Sequence, residues 1–124
     1  MEFKSPTTAG VVAHIRETYG AEPEFLWIKT PGNAVFRHQS SRKWFAALLM
    51  ETPGRRLGLK EDGLLDILDL KCDPKLIGSL LEGGHCLPGY HMNKEHWITI
   101  PLNGSVPLED IFSLLAMSYD LTRT

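Results

Sequence analysis

The sequence predicts an α+β fold, a two-layer sandwich in which a mainly antiparallel five-stranded sheet packs against flanking helices. Two pairs of β-forming segments are joined by short polar links typical of hairpins. Amphipathic helical patterns stand near both ends of the chain. The resulting order, α-β-β-β-α-β-β-α, lacks the regular strand–helix alternation that builds a parallel sheet, so we expect antiparallel pairing.

Three helices are predicted from apolar spacing and from residues that start or stop a helix. The first covers residues 7–19 and is followed by Gly20, a suitable left-handed stop. A short second helix begins at Asp73-Pro74, where an N-cap acceptor precedes a proline, and it ends before Gly83-Gly84. The third begins at Pro107, and its apolar residues recur every three or four positions, so one face is expected to pack on the sheet.

Five strands are predicted, and four of them pair in two hairpins. They cover residues 33–38, 42–50, 64–71, 85–92 and 96–100. The links Gln39-Ser40-Ser41 and Asn93-Lys94-Glu95 have the composition of turns. In the second strand, simple alternation places Trp44 and Ala46 on one face and Phe45 on the other. Both faces are therefore apolar, and we expect this strand in the middle of the sheet.

Length and composition narrow the class of protein. A chain of 124 residues is expected to form a single domain over residues 1–124, and 43% hydrophobic with 23% charged residues is typical of a globular protein. The longest apolar run, Trp44 to Met50, is too short to cross a bilayer, and the N-terminus shows no secretory signal pattern. We therefore expect a cytoplasmic protein without a membrane association.

The charged residues are unevenly distributed along the chain. The net charge is −2, yet residues 37–60 carry six basic residues against one acid, a balance of +5, so the remainder carries −7. The basic residues of this segment are Arg37, Arg42, Lys43, Arg55, Arg56 and Lys60. Because screening confines such attraction to roughly 8 Å at physiological salt, a local basic face can bind a polyanion on an acidic protein. The alternative is an ordinary solvated hairpin surface.

The second hairpin holds the most specialised side chains. Two imidazoles, an amide, an ammonium and an indole lie within seven residues, as His91, Asn93, Lys94, His96 and Trp97. Polar side chains at a turn stay accessible while the strands hold them in place. The simpler interpretation is that Asn93-Lys94 makes a stable turn and that Trp97 is a half-buried residue of the sheet.

These motifs resemble those of the MmcQ/YjbR family of small bacterial proteins. The resemblance extends over nearly the whole chain and is most specific in His91-x-Asn93-Lys94-x-His96-Trp97-x-Thr99, then Gly104-Ser105, Pro107 and Ser118-Tyr119. Supporting matches are residues 34–37, 43–45 and 68–74. The resemblance implies a sandwich similar to the CyaY-like and secretion-chaperone-like folds. It also implies DNA binding through projecting hairpins, described as a double wing.

A nucleic-acid site is therefore predicted on the two hairpins. Its residues are Arg37, Arg42, Lys43, His91, Asn93, Lys94, His96 and Trp97. The cations would contact phosphates, Asn93 and the histidines would bond sugars, phosphates or base edges, and an exposed tryptophan would stack on an unpaired base. The function predicted first is thus a non-enzymatic DNA-binding domain.

Two other classes of function stay open. One is a protein-interaction or adaptor module, in the manner of the secretion chaperones, using an exposed apolar patch such as Phe25-Leu26-Trp27. The other is a small-ligand protein or an enzyme centred on His91, Asn93, Lys94 and His96. No common catalytic or metal motif is present, so no catalytic residue, metal or cofactor is predicted. A monomer is the favoured oligomeric state.

Overall fold

The computed structural model describes residues 3–60 and 63–123, which form three helices and five strands in the predicted order. The helices are α1 (Pro6–Tyr19), α2 (Pro74–Glu82) and α3 (Leu108–Leu121). The strands are β1 (Ala34–Arg37), β2 (Trp44–Pro53), β3 (Leu64–Lys71), β4 (Leu87–Pro88) and β5 (Trp97–Pro101). The α+β prediction is confirmed.

The predicted capping residues define the ends of the helices. Ser5 accepts the Thr8 amide at the start of α1, and Gly20 ends that helix with a φ of +67°. Asp73 accepts the Lys75 amide at the start of α2. The helices therefore begin and end close to where the sequence predicts.

The strands form one antiparallel sheet in the order β1-β2-β3-β5-β4. β2 lies next to the edge strand β1, and β3 is central. The predicted strand over residues 85–92 is reduced to Leu87–Pro88, and Gly89 to His96 form the connection to β5. Gly89 approaches Trp97 so closely that an added Cβ would lie 2.8 Å from the Trp97 carbonyl oxygen. The glycine permits this close contact.

An irregularity in the first hairpin changes which side chains share a face. The β1–β2 register shifts between Phe36 and Arg37, and Arg37 pairs with Trp44. Phe45 and Ala46 both join the helix-packed core, whereas Trp44 turns to the opposite side. The predicted grouping of Trp44 with Ala46 is therefore wrong, because a bulge adds a residue and breaks strict alternation.

The two faces of the sheet differ in what packs on them. On the first, which we call the covered face, α1 and α3 bury Phe36, Phe45, Leu48, Leu68, Leu70, Ile98 and Ile100. Ser118 of α3 fastens this layer, because its hydroxyl donates to the Phe45 carbonyl at 2.6 Å and accepts the Lys71 amide at 2.8 Å. We call the other side the open face. It carries Arg37, Trp44, Asp69, Lys71, Trp97 and Thr99.

Candidate functional site on the open face

The structure places both predicted hairpins at the same end of the sheet. Trp44 begins β2, Lys71 ends β3 and Trp97 begins β5, and these strands are antiparallel neighbours. The turns over residues 38–43 and 89–96 therefore lie on either side of the end of β3. Strands β2 and β5 are two strand spacings apart, about 10 Å. Whether nucleic acid binds there stays a prediction.

A row of alternating cations and indoles connects the two hairpins across the open face. The Arg37 guanidinium lies 5.9 Å from the Trp44 ring centroid, and the Lys71 ammonium lies 5.5 Å from that of Trp97. All four side chains are half-buried. We call these four residues the cation–indole row. It combines aromatic rings with positive charge, as single-stranded nucleic-acid sites do.

Glu24 neutralises part of the first hairpin. Its carboxylate accepts from Arg42 at 3.0 Å, and its Oε1 lies 3.4 Å from Arg37 Nε. Arg37 also donates to the Arg42 carbonyl at 3.1 Å. Two of the predicted phosphate contacts therefore share an internal acid. Lys43 is exposed and also interacts with its surroundings.

The other cations of the basic segment lie elsewhere. Arg55 and Arg56 are in a 3-10 turn (Gly54–Leu57) that follows β2, and Lys60 comes shortly after. β2 spans ten residues, so these cations are about 30 Å from the first hairpin. Residues 37–60 therefore do not form one basic face. Their six basic residues are divided between opposite ends of the sheet.

In the second hairpin, Asn93 shapes the turn. Its Oδ1 accepts the Glu95 amide at 2.8 Å, and its carbonyl accepts the amides of His96 and Trp97. His91 is exposed, has a φ of +60° and lies against the Tyr90 ring at 4.0 Å. A left-handed histidine is uncommon and costs of order 1 kcal/mol. In this backbone conformation the His91 ring packs against Tyr90 on the side of the open face.

Asp69, in the middle of β3, is the most unusual residue of the open face. It is 0% exposed, and its Oδ1 accepts a short hydrogen bond from the Thr99 hydroxyl on β5. That hydroxyl oxygen in turn accepts the Tyr90 amide at 2.8 Å. Asp69 Oδ2 is buried and has no hydrogen-bond partner among the residues that the structure describes.

Burial raises the pKa of Asp69 from 3.8 to about 7, although the Thr99 hydrogen bond and the Lys94 charge both lower it. The desolvation of a carboxylate inside the sheet is the largest effect. This acid therefore titrates near neutral pH. Lys94, predicted as a phosphate contact, also acts on the charge state of Asp69.

Two cavities open on this side of the sheet. The smaller, of about 400 Å³, is lined by Trp27, Trp44, Asp69, His91 and Met92 among others. The larger, of about 870 Å³, extends toward Lys4, Lys29 and Arg56. His91 lines both. The smaller cavity brings the second hairpin, the cation–indole row and Asp69 into one place.

Sequence reasoning missed Asp69 and Lys71, and it assigned Trp27 only to the exposed patch Phe25-Leu26-Trp27. Asp69 lies inside the run Leu68-Asp69-Leu70, and an acid between apolar residues of a central strand is a signal of a special role because burying its charge is costly. Lys71 could have been found from alternation, since it shares a face with Asp69. Trp27 gave no such signal, because its contact with Trp44 depends on a loop.

The described residues contain neither a metal-binding cluster nor a helix that could span a membrane. Within residues 3–60 and 63–123, no three His, Cys, Asp or Glu side chains are grouped in a way that could hold a metal ion. Over the same residues no helix has the length and apolarity needed to span a membrane. Cys72 and Cys86 are free and buried, and burial raises the pKa of both thiols.

Comparison with known proteins places this architecture among relatives of similar length. The uncharacterized protein YyaQ of Bacillus subtilis is 42% identical over 117 residues, which cover 94% of this chain and 98% of YyaQ. A crystal structure of a Pseudomonas syringae protein, 41% identical, matches with a TM-score of 0.89 over 93% of this chain and 97% of that one. The Deinococcus radiodurans protein DR2400, 26% identical, matches with a TM-score of 0.69 over 98% of this chain and 81% of that one.

A family model extends the match beyond single relatives. The YjbR model covers residues 16–121, which include all five strands, α2, α3 and the residues of the open face. With this match and the 42% identity to YyaQ, the chain belongs to the YjbR family.

Proposed function

We propose that this protein binds single-stranded nucleic acid along the open face. The observation that carries the proposal is the cation–indole row, in which Arg37 and Lys71 alternate with Trp44 and Trp97 between the two hairpins. Base–aromatic stacking is worth about 1–3 kcal/mol per base, and it tolerates any base because every base has a π-face. The row therefore supports binding with little sequence preference.

A single strand suits this surface better than a duplex does. Trp44 and Trp97 lie on the face of a sheet and are half-buried, so they are suited to stacking on bases that are already unpaired. Duplex recognition through a groove instead uses an element that projects into the groove. The second hairpin is the best candidate for such an element. However, the side-chain oxygen and the carbonyl of its Asn93 already accept hydrogen bonds within the turn.

The charge balance around the row supports moderate affinity. Lys43, Lys71 and Lys94 add positive charge, while Glu24 offsets part of the charge of Arg37 and Arg42. A few phosphate contacts give binding that depends on salt, with a slope of roughly 0.7 per contact for single strands. We expect binding at low salt that weakens markedly at physiological salt.

The test is a fluorescence anisotropy titration of labelled single-stranded and duplex DNA at several salt concentrations. Lys71→Gln removes a cation from the row, whereas Lys60→Gln removes an equal charge from an exposed site at the far end of the sheet. We expect the first change to lower the salt slope by about 0.7 and the second to leave it unchanged.

Two results would count against nucleic-acid binding on the open face. One is a lack of binding by the unmodified protein at low salt. The other is an equal loss of affinity in the Lys60→Gln and Lys71→Gln proteins, since that result would show attraction to net charge rather than to the row. A duplex bound more tightly than the single strand would restore the hairpin-based, double-wing form of the proposal.

A protein-binding role is the second candidate, favoured by the exposed segment Phe25–Ile28. Each of its four large apolar side chains is at least 38% exposed, and Ile28 is 97% exposed. An exposed apolar patch is a common feature of protein interfaces. In an affinity purification, an Ile28→Ser protein is expected to lose a stoichiometric partner that the unmodified protein retains, and recovery of the same partner by both proteins would reject this segment as the interface.

A further inference from the structure

The smaller cavity of the open face has walls that suit one class of ligand. Its volume of about 400 Å³ is within the range of ligand pockets. Two indoles line it, Trp27 and Trp44, whose ring centroids are 5.9 Å apart with an interplanar angle of 87°. Met92 adds a polarizable thioether. These are surfaces on which a flat molecule packs well.

The charges of the wall favour a cation over an anion. No lysine or arginine is among the described residues that line the cavity, and Asp69 is its one carboxylate. Indole faces attract cations through the ring quadrupole. A bound anion would be repelled by this carboxylate, whereas a cation would be attracted by the carboxylate and by the face of an indole.

Asp69 is held in one orientation with one oxygen left for a ligand. The Tyr90 amide donates to Thr99 Oγ1, and the Thr99 hydroxyl donates its only proton to Asp69 Oδ1. Asp69 Oδ2 is buried without a hydrogen-bond partner among the described residues. An unsatisfied buried carboxylate oxygen costs free energy that an N–H donor from a ligand would recover. The site is therefore preorganised to accept a donor at Oδ2.

We propose that this cavity binds a small planar cation of the amidine or guanidine class, with an N–H group of the ligand donating to Asp69 Oδ2 and its flat face stacked on one of the two perpendicular indoles, Trp27 or Trp44. The His91 ring, which also lines the cavity, forms part of the wall on the side of the second hairpin. Asp69 is the residue that selects for charge, and the two indoles select for shape.

This site differs from the proposed nucleic-acid surface, and either can hold without the other. The cation–indole row would bind phosphates and bases through Arg37 and Lys71, whereas the cavity would exclude phosphate and bind through Asp69. Only Trp44 belongs to both. It also differs from the predicted ligand site at His91, Asn93, Lys94 and His96, because of those four residues only His91 lines the cavity.

The test uses three probes of nearly equal shape that differ in charge: benzamidine, which is a cation, benzamide, which is neutral, and benzoate, which is an anion. Binding is followed at pH 8 by isothermal calorimetry and by tryptophan fluorescence, since Asp69, with its pKa of about 7, is mostly ionised at that pH. Benzamidine is expected to bind at least about tenfold more tightly than benzamide, and benzoate is expected not to bind.

Asp69→Asn is the decisive variant because it keeps the shape of the side chain and removes its charge. We expect it to weaken benzamidine binding by about tenfold or more and to leave the weaker benzamide binding nearly unchanged. Lys71→Gln changes the row but not a residue that lines the cavity. We expect its benzamidine affinity to stay within about twofold of that of the unmodified protein.

Three outcomes would overturn the proposal. They are an absence of benzamidine binding at millimolar concentration, benzoate binding as tight as that of benzamidine, and unchanged benzamidine affinity in a folded Asp69→Asn protein. Far-UV circular dichroism establishes that each variant is folded. Trp27→Leu provides a second test of the wall, because loss of an indole is expected to weaken benzamidine and benzamide together.

Discussion

The two faces of the sheet carry different kinds of side chain. On the covered face, neighbouring strands present Leu48, Leu68 and Ile100 to two helices, and these residues are 0% exposed. On the open face, the same strands present Trp44, Asp69, Lys71, Trp97 and Thr99. Burial of apolar side chains on the covered face stabilises the fold, whereas the carboxylate buried on the open face lowers stability. The difference indicates that the covered face holds the fold together, and the open face is the one on which we propose binding.

The largest effect is expected from removing the charge of Asp69. Its pKa is raised to about 7 in the folded protein from 3.8, so the folded state binds this proton more tightly than the unfolded state does. The stabilisation from this group is complete below pH 4 and is lost as the pH rises through 7. A difference of about three pH units corresponds to on the order of 4 kcal/mol.

Asp69→Asn removes this dependence, so we expect the variant to be more stable than the unmodified protein at pH 8, with little difference at pH 4. Urea unfolding at a series of pH values gives the free energies. Asp73→Asn is the matched control, because Asn also caps a helix and Asp73 is nearer the surface. Parallel pH profiles for the Asp69→Asn and unmodified proteins would contradict a cost of charge burial on the open face.

A smaller effect is expected on the covered face from Ser118→Ala. Ser118 is 0% exposed and joins α3 to both β2 and β3 through the Phe45 carbonyl and the Lys71 amide. Its loss leaves two buried backbone groups without a partner, which costs about 3 kcal/mol in the free energy of unfolding. In Ser113→Ala, on the same helix, the lost hydroxyl is exposed, so we expect a change within about 0.5 kcal/mol. Nucleic-acid affinity is expected to stay unchanged in both.

Equal stabilities for these two alanine variants in urea unfolding would show that Ser118 does not fasten the covered layer. The Ser118-Tyr119 pair, which stood out in the sequence as a family motif, has a structural explanation in these contacts. Tyr119 stacks on Tyr19 at 4.3 Å and packs against Phe45. The motif therefore serves the covered face rather than a binding site.

The smallest effect is expected from Glu24→Gln, which tests whether the first hairpin contributes to binding on the open face. Glu24 pairs with both Arg37 and Arg42, and Gln retains the length of the side chain without its charge. Freed from this acid, the two arginines are expected to bind a single-stranded oligonucleotide about threefold more tightly, with little change in stability. Unchanged or weaker binding in the anisotropy titration would show that the first hairpin takes no part.

The sequence predicted the covered face better than the open one. Helical spacing, capping residues and hairpin links are local signals, and they located three helices, five strands and the two turns. The bulge at Phe45 of β2, opposite the step from Phe36 to Arg37, was not predictable from alternation, and it decides that Trp44 faces the cavity. The site depends on contacts between distant residues, such as Asp69 with Thr99 and Trp27 with Trp44. No local pattern encodes these contacts, so the cavity could be found only from the fold.

The most direct test of a division of roles between the two faces is an amide and indole chemical-shift map. It is recorded by nuclear magnetic resonance while an unlabelled single-stranded oligonucleotide is added to isotope-labelled protein at low salt. We expect the shifts to concentrate on the indole N–H groups of Trp44 and Trp97 and on the Lys71 amide, with α1 and α3 little changed. Shifts centred on the outer surfaces of α1 and α3, or none at saturating oligonucleotide, would contradict the account.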